Sequence, residues 1–188
     1  GSVYRISTQG STTATGGKFD LAINGRGFFQ VLTPTGDIAY TRAGNFSVND
    51  QGQLVTQDGY QVQPAVSVPQ DASDITISAS GQVQVTQPGS PTPTVVGTLE
   101  LASFMSEGGL SAQGANLFKE TGASGAPITG TPGTAGYGTL MQGYVEASNV
   151  DPVTEITALI VAQRAYEMNS KVVTAADDML QATAALKN

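Results

Sequence analysis

Residues 28–41 run Phe28-Phe29-Gln30-Val31-Leu32, then Thr33-Pro34-Thr35-Gly36-Asp37, then Ile38-Ala39-Tyr40-Thr41. Two short stretches rich in aromatic and β-branched residues flank a Pro/Gly/Asp cluster, the composition of two strands joined by a turn. Pro and Gly act there for separate reasons: one presets φ, the other reaches positive φ without a steric clash.

The same pattern repeats downstream. Phe46-Ser47-Val48 leads through Asn49-Asp50-Gln51-Gly52 to Gln53-Leu54-Val55-Thr56, and Gln57-Asp58-Gly59 introduces Tyr60-Gln61-Val62-Gln63. Ile75-Thr76-Ile77 leads through Ala79-Ser80-Gly81 to Gln82-Val83-Gln84-Val85-Thr86. Several of these stretches alternate apolar and polar residues, as half-buried strands do. From Lys18 to about Tyr144 the chain therefore predicts a mainly β body, an antiparallel barrel or sandwich of short strands. Gln87 to Pro93 reads as a loop, and so does Gly122 to Gly138, which is longer than compact domains usually leave unstructured.

Two local motifs invite a ligand reading and fail it. Asp50-Gln51-Gly52 lacks the ladder of oxygen ligands and the closing Glu of a calcium loop, so a simple turn is expected. Ala22-Ile23-Asn24-Gly25-Arg26-Gly27 has two glycines but no third, and strand residues follow it where a phosphate site needs a helix N-terminus.

The character changes at Asp151. Asp151 suits an N-cap, Pro152 the first helical position, and Glu155 the positive end of the helix dipole. Neither Gly nor Pro then occurs through Asn188, which predicts a helix of ~35 residues, about 50 Å long. Leu159, Ala162, Tyr166, Asn169, Val173, Ala176 and Leu180 step by three and four as a heptad seam. Ile156, Ile160, Val172 and Met179 widen that stripe, and Asn169 is a polar interruption able to fix register. Such a helix overhangs a body about 30 Å across, and an isolated amphipathic helix is marginal in water. Its partner is expected from outside the sequence, whether a further part of the protein or another subunit. Without that partner, residues 151–188 are expected to be poorly ordered. The expected division is an extended N-terminal segment (1–17), a β-rich outer domain (18–144) and a C-terminal helical segment (145–188).

Composition narrows the function. The 188 residues carry 8 Lys+Arg against 15 Asp+Glu, a formal net charge of −7, which disfavours nucleic acid and anionic membrane surfaces. Charged residues make up only 12% of the chain, so its surface is mostly neutral polar and can pack against neighbours without desolvating ions. With no Cys and no His, disulfides, zinc sites built on those residues, and Ser-His or Cys-His catalytic pairs are excluded. No apolar run reaches the ~20 residues of a membrane helix, and no N-terminal signal peptide is visible. The chain opens Gly1-Ser2 and not with Met, which reads as a piece of a longer protein with an expression scar as one source of the dipeptide.

Leu21 to Val31 (LAINGRGFFQV), Ala39 to Phe46 (AYTRAGNF) and Gly52 to Tyr60 (GQLVTQDGY) resemble successive pieces of the bacterial flagellar basal-body rod and hook protein family. The tail from Gly143 to Leu180, above all Gln163 to Val172 (QRAYEMNSKV), is similar to the C-terminal segment of its distal rod members. The N-terminal helix of that family has no counterpart here, and the pattern is joined only around Val3 to Gln9.

The resemblance implies a structural subunit that assembles helically with copies of itself into a hollow drive shaft across the periplasm. It implies export without a cleaved signal. Partners would be proximal rod, hook and surrounding ring proteins, with no nucleic acid, membrane insertion or cofactor. The assembly helix would carry Ile156, Leu159, Ile160, Ala162, Tyr166, Asn169, Val173, Ala176 and Leu180.

Three rivals remain at this stage. One is a proximal rod or hook subunit, although a hook subunit usually needs an outer domain for which this length leaves little room. Another is an unrelated β-rich binding module, such as a phage tail or adhesin domain. The third is a glycan hydrolase built on two carboxylates drawn from Asp20, Asp37, Asp50, Asp58, Asp71, Asp74, Glu100, Glu107 and Glu120. Most of these acids sit at turns, where solvated surface positions are expected, and no catalytic residue is assigned.

Overall fold

A computed structural model describes residues 9–148 and 152–186. Asp151, the expected N-cap, lies outside them, as do residues 1–8 with the start of the N-terminal segment. The chain divides into two compact units between residues 149 and 150.

Among the described residues, the first unit is built from sixteen short strands. In chain order they are β1 (Thr12–Ala14), β2 (Leu21–Asn24), β3 (Phe29–Leu32), β4 (Ile38–Thr41), β5 (Ser47–Val48), β6 (Leu54–Val55), β7 (Gln61–Gln63) and β8 (Asp74–Ile77). The rest are β9 (Gln82–Gln87), β10 (Ser90–Thr98), β11 (Leu101–Ser103), β12 (Ser111–Gly114), β13 (Leu117–Lys119), β14 (Ile128–Gly130), β15 (Thr139–Gln142) and β16 (Tyr144–Glu146). The second unit is one helix, α1 (Pro152–Ala185).

A seven-stranded sheet in the order β12-β13-β4-β3-β7-β6-β5 forms one layer, and the three-stranded sheet β10-β9-β8 and the pair β15-β2 supply the other. Two further pairs, β1-β16 and β11-β14, complete the unit, and every named pairing is antiparallel. The sheets pack as a sandwich; no closed barrel forms among the described residues.

Period-two alternation explains where each side chain goes. Val31 lies between Ala39 and Val62 in register, and all three enter the main core. There they meet Phe29, Leu54, Leu21, Ile23, Leu140, Ile77 and Val83, so both layers contribute. The neighbouring residue Phe28 points the other way, into a second cluster with Tyr40, Ala102, Phe104 and Leu110. Its rings meet edge to face: Phe28–Phe104 at 5.9 Å, Phe28–Phe118 at 5.9 Å and Tyr40–Phe104 at 4.7 Å between centroids. Both faces of the central strands thus meet apolar partners, the second less completely: Gln30 and Leu32 on it are half-buried.

A single side chain stitches two sheets together. Gln142, at the end of β15, accepts from the Ile77 amide (2.9 Å) and donates to the carbonyls of Ile75 (3.0 Å) and Lys18 (2.8 Å). Its primary amide acts as a short surrogate strand along the free edge of β8.

Two expected loops contain strands. Gln87 to Pro93 is a tight turn at Pro88-Gly89 followed by the start of β10, with Pro91 and Pro93 inside that strand. The prolines are tolerated because β10 is an edge strand and its register with β9 shifts between Ser90 and Thr94. Within Gly122 to Gly138, Ile128–Gly130 forms β14 against β11, and Tyr137 Oη donates to the Ile128 carbonyl at 2.9 Å.

The candidate assembly helix

The 34 residues of α1 match the expected length, and at 1.5 Å per residue span about 50 Å. Local sequence dictates this: the segment holds no Gly and no Pro after Pro152, and Ala, Leu, Gln, Glu and Met predominate over β-branched residues. Its threonines adapt by bonding backward: Thr174 Oγ1 donates to the Ser170 carbonyl at 3.0 Å, and Thr183 Oγ1 to that of Met179 at 2.8 Å.

The seam positions fall on one stripe of this helix, and those described are exposed. Leu159, Tyr166, Val173 and Leu180 each present more than three-fifths of their surface to solvent, and Ile160 45%. Ala162, Asn169 and Ala176 are exposed between them. The side chain of Ile156 lies outside the described residues. Val172 and Met179 broaden the stripe and are equally open. An apolar stripe of this extent is what helices bury when they pair. No described helix is long and apolar enough to cross a membrane.

Several of the candidate acids are engaged with neighbouring side chains. Asp37 pairs with Lys119 (3.0 Å), Asp74 with Lys18 (3.2 Å) and Glu107 with Arg26 (3.3 Å). Asp71 accepts two bonds from Gln87, and Asp20 accepts one from Thr15. Asp58 lines a small polar recess with Thr41, Asn45 and Asn116. Among the described residues no three acids converge. The Asn49-Asp50-Gln51-Gly52 segment is a side-chain-capped turn: Asn49 Oδ1 accepts the amides of Gln51 and Gln53.

Sequence similarity then decides the family. Residues 22–85 match the Flagellar hook protein FlgE/F/G D1 domain, and residues 141–186 the Flagellar basal body rod FlgEFG protein C-terminal region. The chain is 62% identical over its whole length to the flagellar basal-body rod protein FlgG of Caulobacter vibrioides, covering 72% of that protein. It is 51% identical over 94% of its length to the FlgG of Agrobacterium fabrum, covering 68% of it. The chain belongs to the FlgG family of flagellar basal-body rod proteins. It is a structural subunit of the flagellar rod. Against the flagellar basal-body rod protein FlgF of C. vibrioides the identity falls to 40%, over 90% of the chain, so the similarity favours FlgG over this other rod protein. The C-terminal match covers all of α1, so the exposed seam lies within a region shared with flagellar rod proteins.

Proposed function

We propose that α1 is the segment through which copies of this FlgG-family chain assemble. Its seam comprises Ile156, Leu159, Ile160, Ala162, Tyr166, Asn169, Val173, Ala176 and Leu180. The observation that carries this is an imbalance. The β unit buries two apolar clusters of its own, whereas the described seam of a 34-residue helix is solvent-exposed. Burying one Leu or Val side chain contributes about 1.5–3 kcal/mol, so a seam this long favours association.

In this reading residues 145–188 form the inner core of a helical, hollow rod that transmits torque. Residues 18–144 form its outer wall. The rod crosses the periplasm, its subunits are exported without a cleaved signal, and its neighbours are proximal rod, hook and surrounding ring proteins. No catalysis is assigned to the chain in this reading; of its candidate acids, Asp37, Asp74 and Glu107 are engaged in ion pairs.

Electron microscopy of the chain within its full-length protein tests this. Straight tubular filaments are expected, and deletion of residues 150–188 should abolish them while leaving the β unit folded. Filaments that persist after the deletion would refute the assignment.

A further inference from the structure

The glycine-bearing motif 23–27, which failed as a phosphate site, has a different occupant. A phosphate loop turns its N–H groups inward. Here three carbonyls converge on a cation instead. Arg42 Nη1 donates to the oxygens of Gly25 (2.8 Å) and Gly27 (2.7 Å), and Nη2 to that of Ile23 (3.2 Å). Gly25 and Gly27 adopt φ of +117° and +124°, which a side chain would strain. A Cβ at Gly25 would also lie 2.9 Å from the Gly138 backbone, and one at Gly27 3.1 Å from Leu101. Both positions need glycine for the carbonyls to face one point.

The remaining donors of Arg42 go to Glu146. Nε reaches Oε2 at 2.9 Å and Nη2 reaches it at 2.7 Å. Glu146 Oε1 accepts the Gly10 amide at 2.9 Å. Gln9 returns to the same loop, donating to the Ile23 carbonyl (2.9 Å) and accepting from the Gly25 amide (3.0 Å). The Arg42 and Glu146 side chains are 21% and 11% exposed, so water screens the pair weakly. Glu146 ends β16, the last strand before α1, and lies opposite Thr12 of β1.

We propose that Arg42, seated in the carbonyl cradle of Ile23, Gly25 and Gly27, is the positioning residue that locks the β1–β16 ribbon to the β body. Other body cations hold one acid each at the surface (Lys18–Asp74, Arg26–Glu107, Lys119–Asp37). Arg42 uses its whole planar fork to join three separate backbone segments, a task a lysine ammonium cannot match.

Amide hydrogen exchange on the full chain reads the lock directly. In Arg42→Lys and in the milder Glu146→Gln, ribbon amides such as that of Ala147, which bonds the Ser11 carbonyl, should exchange about tenfold faster or more. Amides of Val31 and Tyr40 in the central sheet should keep their protection. The exchanged pair Arg42→Glu with Glu146→Arg should not restore the ribbon, because a carboxylate would face three carbonyls. Restoration by that swap would reduce Arg42 to an ordinary ion pair and overturn the proposal. Equal loss in ribbon and sheet, or no loss, would overturn it too.

Discussion

The β unit and α1 are made by opposite means. In the β unit, neighbours in space come from distant parts of the sequence: Leu140 sits beside Ile23, and Glu146 beside Thr12. Its apolar side chains find each other within the unit, and its described buried side-chain polar atoms all have hydrogen-bond partners. In α1 the hydrogen bonds are local and the seam side chains are left to solvent. One region closes on itself; the other holds a shape whose apolar surface is unspent. Mutations should therefore sort into those that unfold the body and those that leave it intact but stop assembly.

The largest separation comes from paired truncations. Phe29 is fully buried and lies 5.0 Å from the Phe46 ring, so Phe29→Ala should destabilise the β unit by about 3–5 kcal/mol. Val173→Asp, on the exposed seam, should leave β-unit unfolding unchanged within about 0.5 kcal/mol while abolishing filaments. Denaturant melts followed by Tyr and near-ultraviolet signals measure both. A seam charge that melts the β unit would break the distinction.

Gln142 sharpens the comparison inside the body. Gln142→Leu keeps the bulk but leaves the Ile75 and Lys18 carbonyls and the Ile77 amide without that partner. A loss of about 2 kcal/mol is expected, with exchange fastest along β8. A loss confined to β15 would mean that the amide does not bridge the sheets.

What sequence could reveal follows the same division. The strands of residues 28–63 were legible because one-sided burial writes a period of two into Val31, Ala39 and Val62. The helix was legible because its signals are all local. Pro91 and Pro93 misled because being at an edge is a property of the sheet and not of the strand. Ile128–Gly130 was hidden in a Gly-rich stretch because its partner β11 lies far upstream. Arg42 escaped notice for a deeper reason: backbone carbonyls hold it, and a carbonyl leaves no mark in sequence. Two glycines at 25 and 27 were the visible trace, and they suggested an anion instead of a cation.

Tyr40 offers a test at high pH. It is buried in the aromatic cluster, and burial, with Glu120 adding repulsion, pushes its phenol up to about 12. The unfolded phenol titrates near 10, so between these values the folded state holds a proton that the unfolded state has lost. The stability of the β unit should therefore fall as pH rises from about 10 to 12. Tyr40→Phe should flatten that decline and shift neutral stability little. Absorbance at the tyrosinate band should show one residue titrating late; a full transition near pH 10 in the folded chain would contradict the burial.

The smallest effect lies at the other end of the scale. Lys119 hydrogen-bonds and attracts Asp37, and Lys18 does the same for Asp74, holding both carboxyls below the usual range. Lowered values contribute stability above the unfolded carboxylate range of about 4, and that contribution is lost as pH falls through the lower folded values. Both acids are exposed, so water and salt screen the attraction and its size is slight. Asp37→Asn and Asp74→Asn should thus differ from the parent only slightly at neutral pH and low salt. They should converge with it in acid and at high ionic strength. Arg42 gives the contrast: its pair is sheltered and its fork also holds neutral carbonyls, so salt should leave the ribbon closed. If salt opens the ribbon as readily as it silences the surface pairs, the guanidinium is held by charge alone and the cradle contributes nothing.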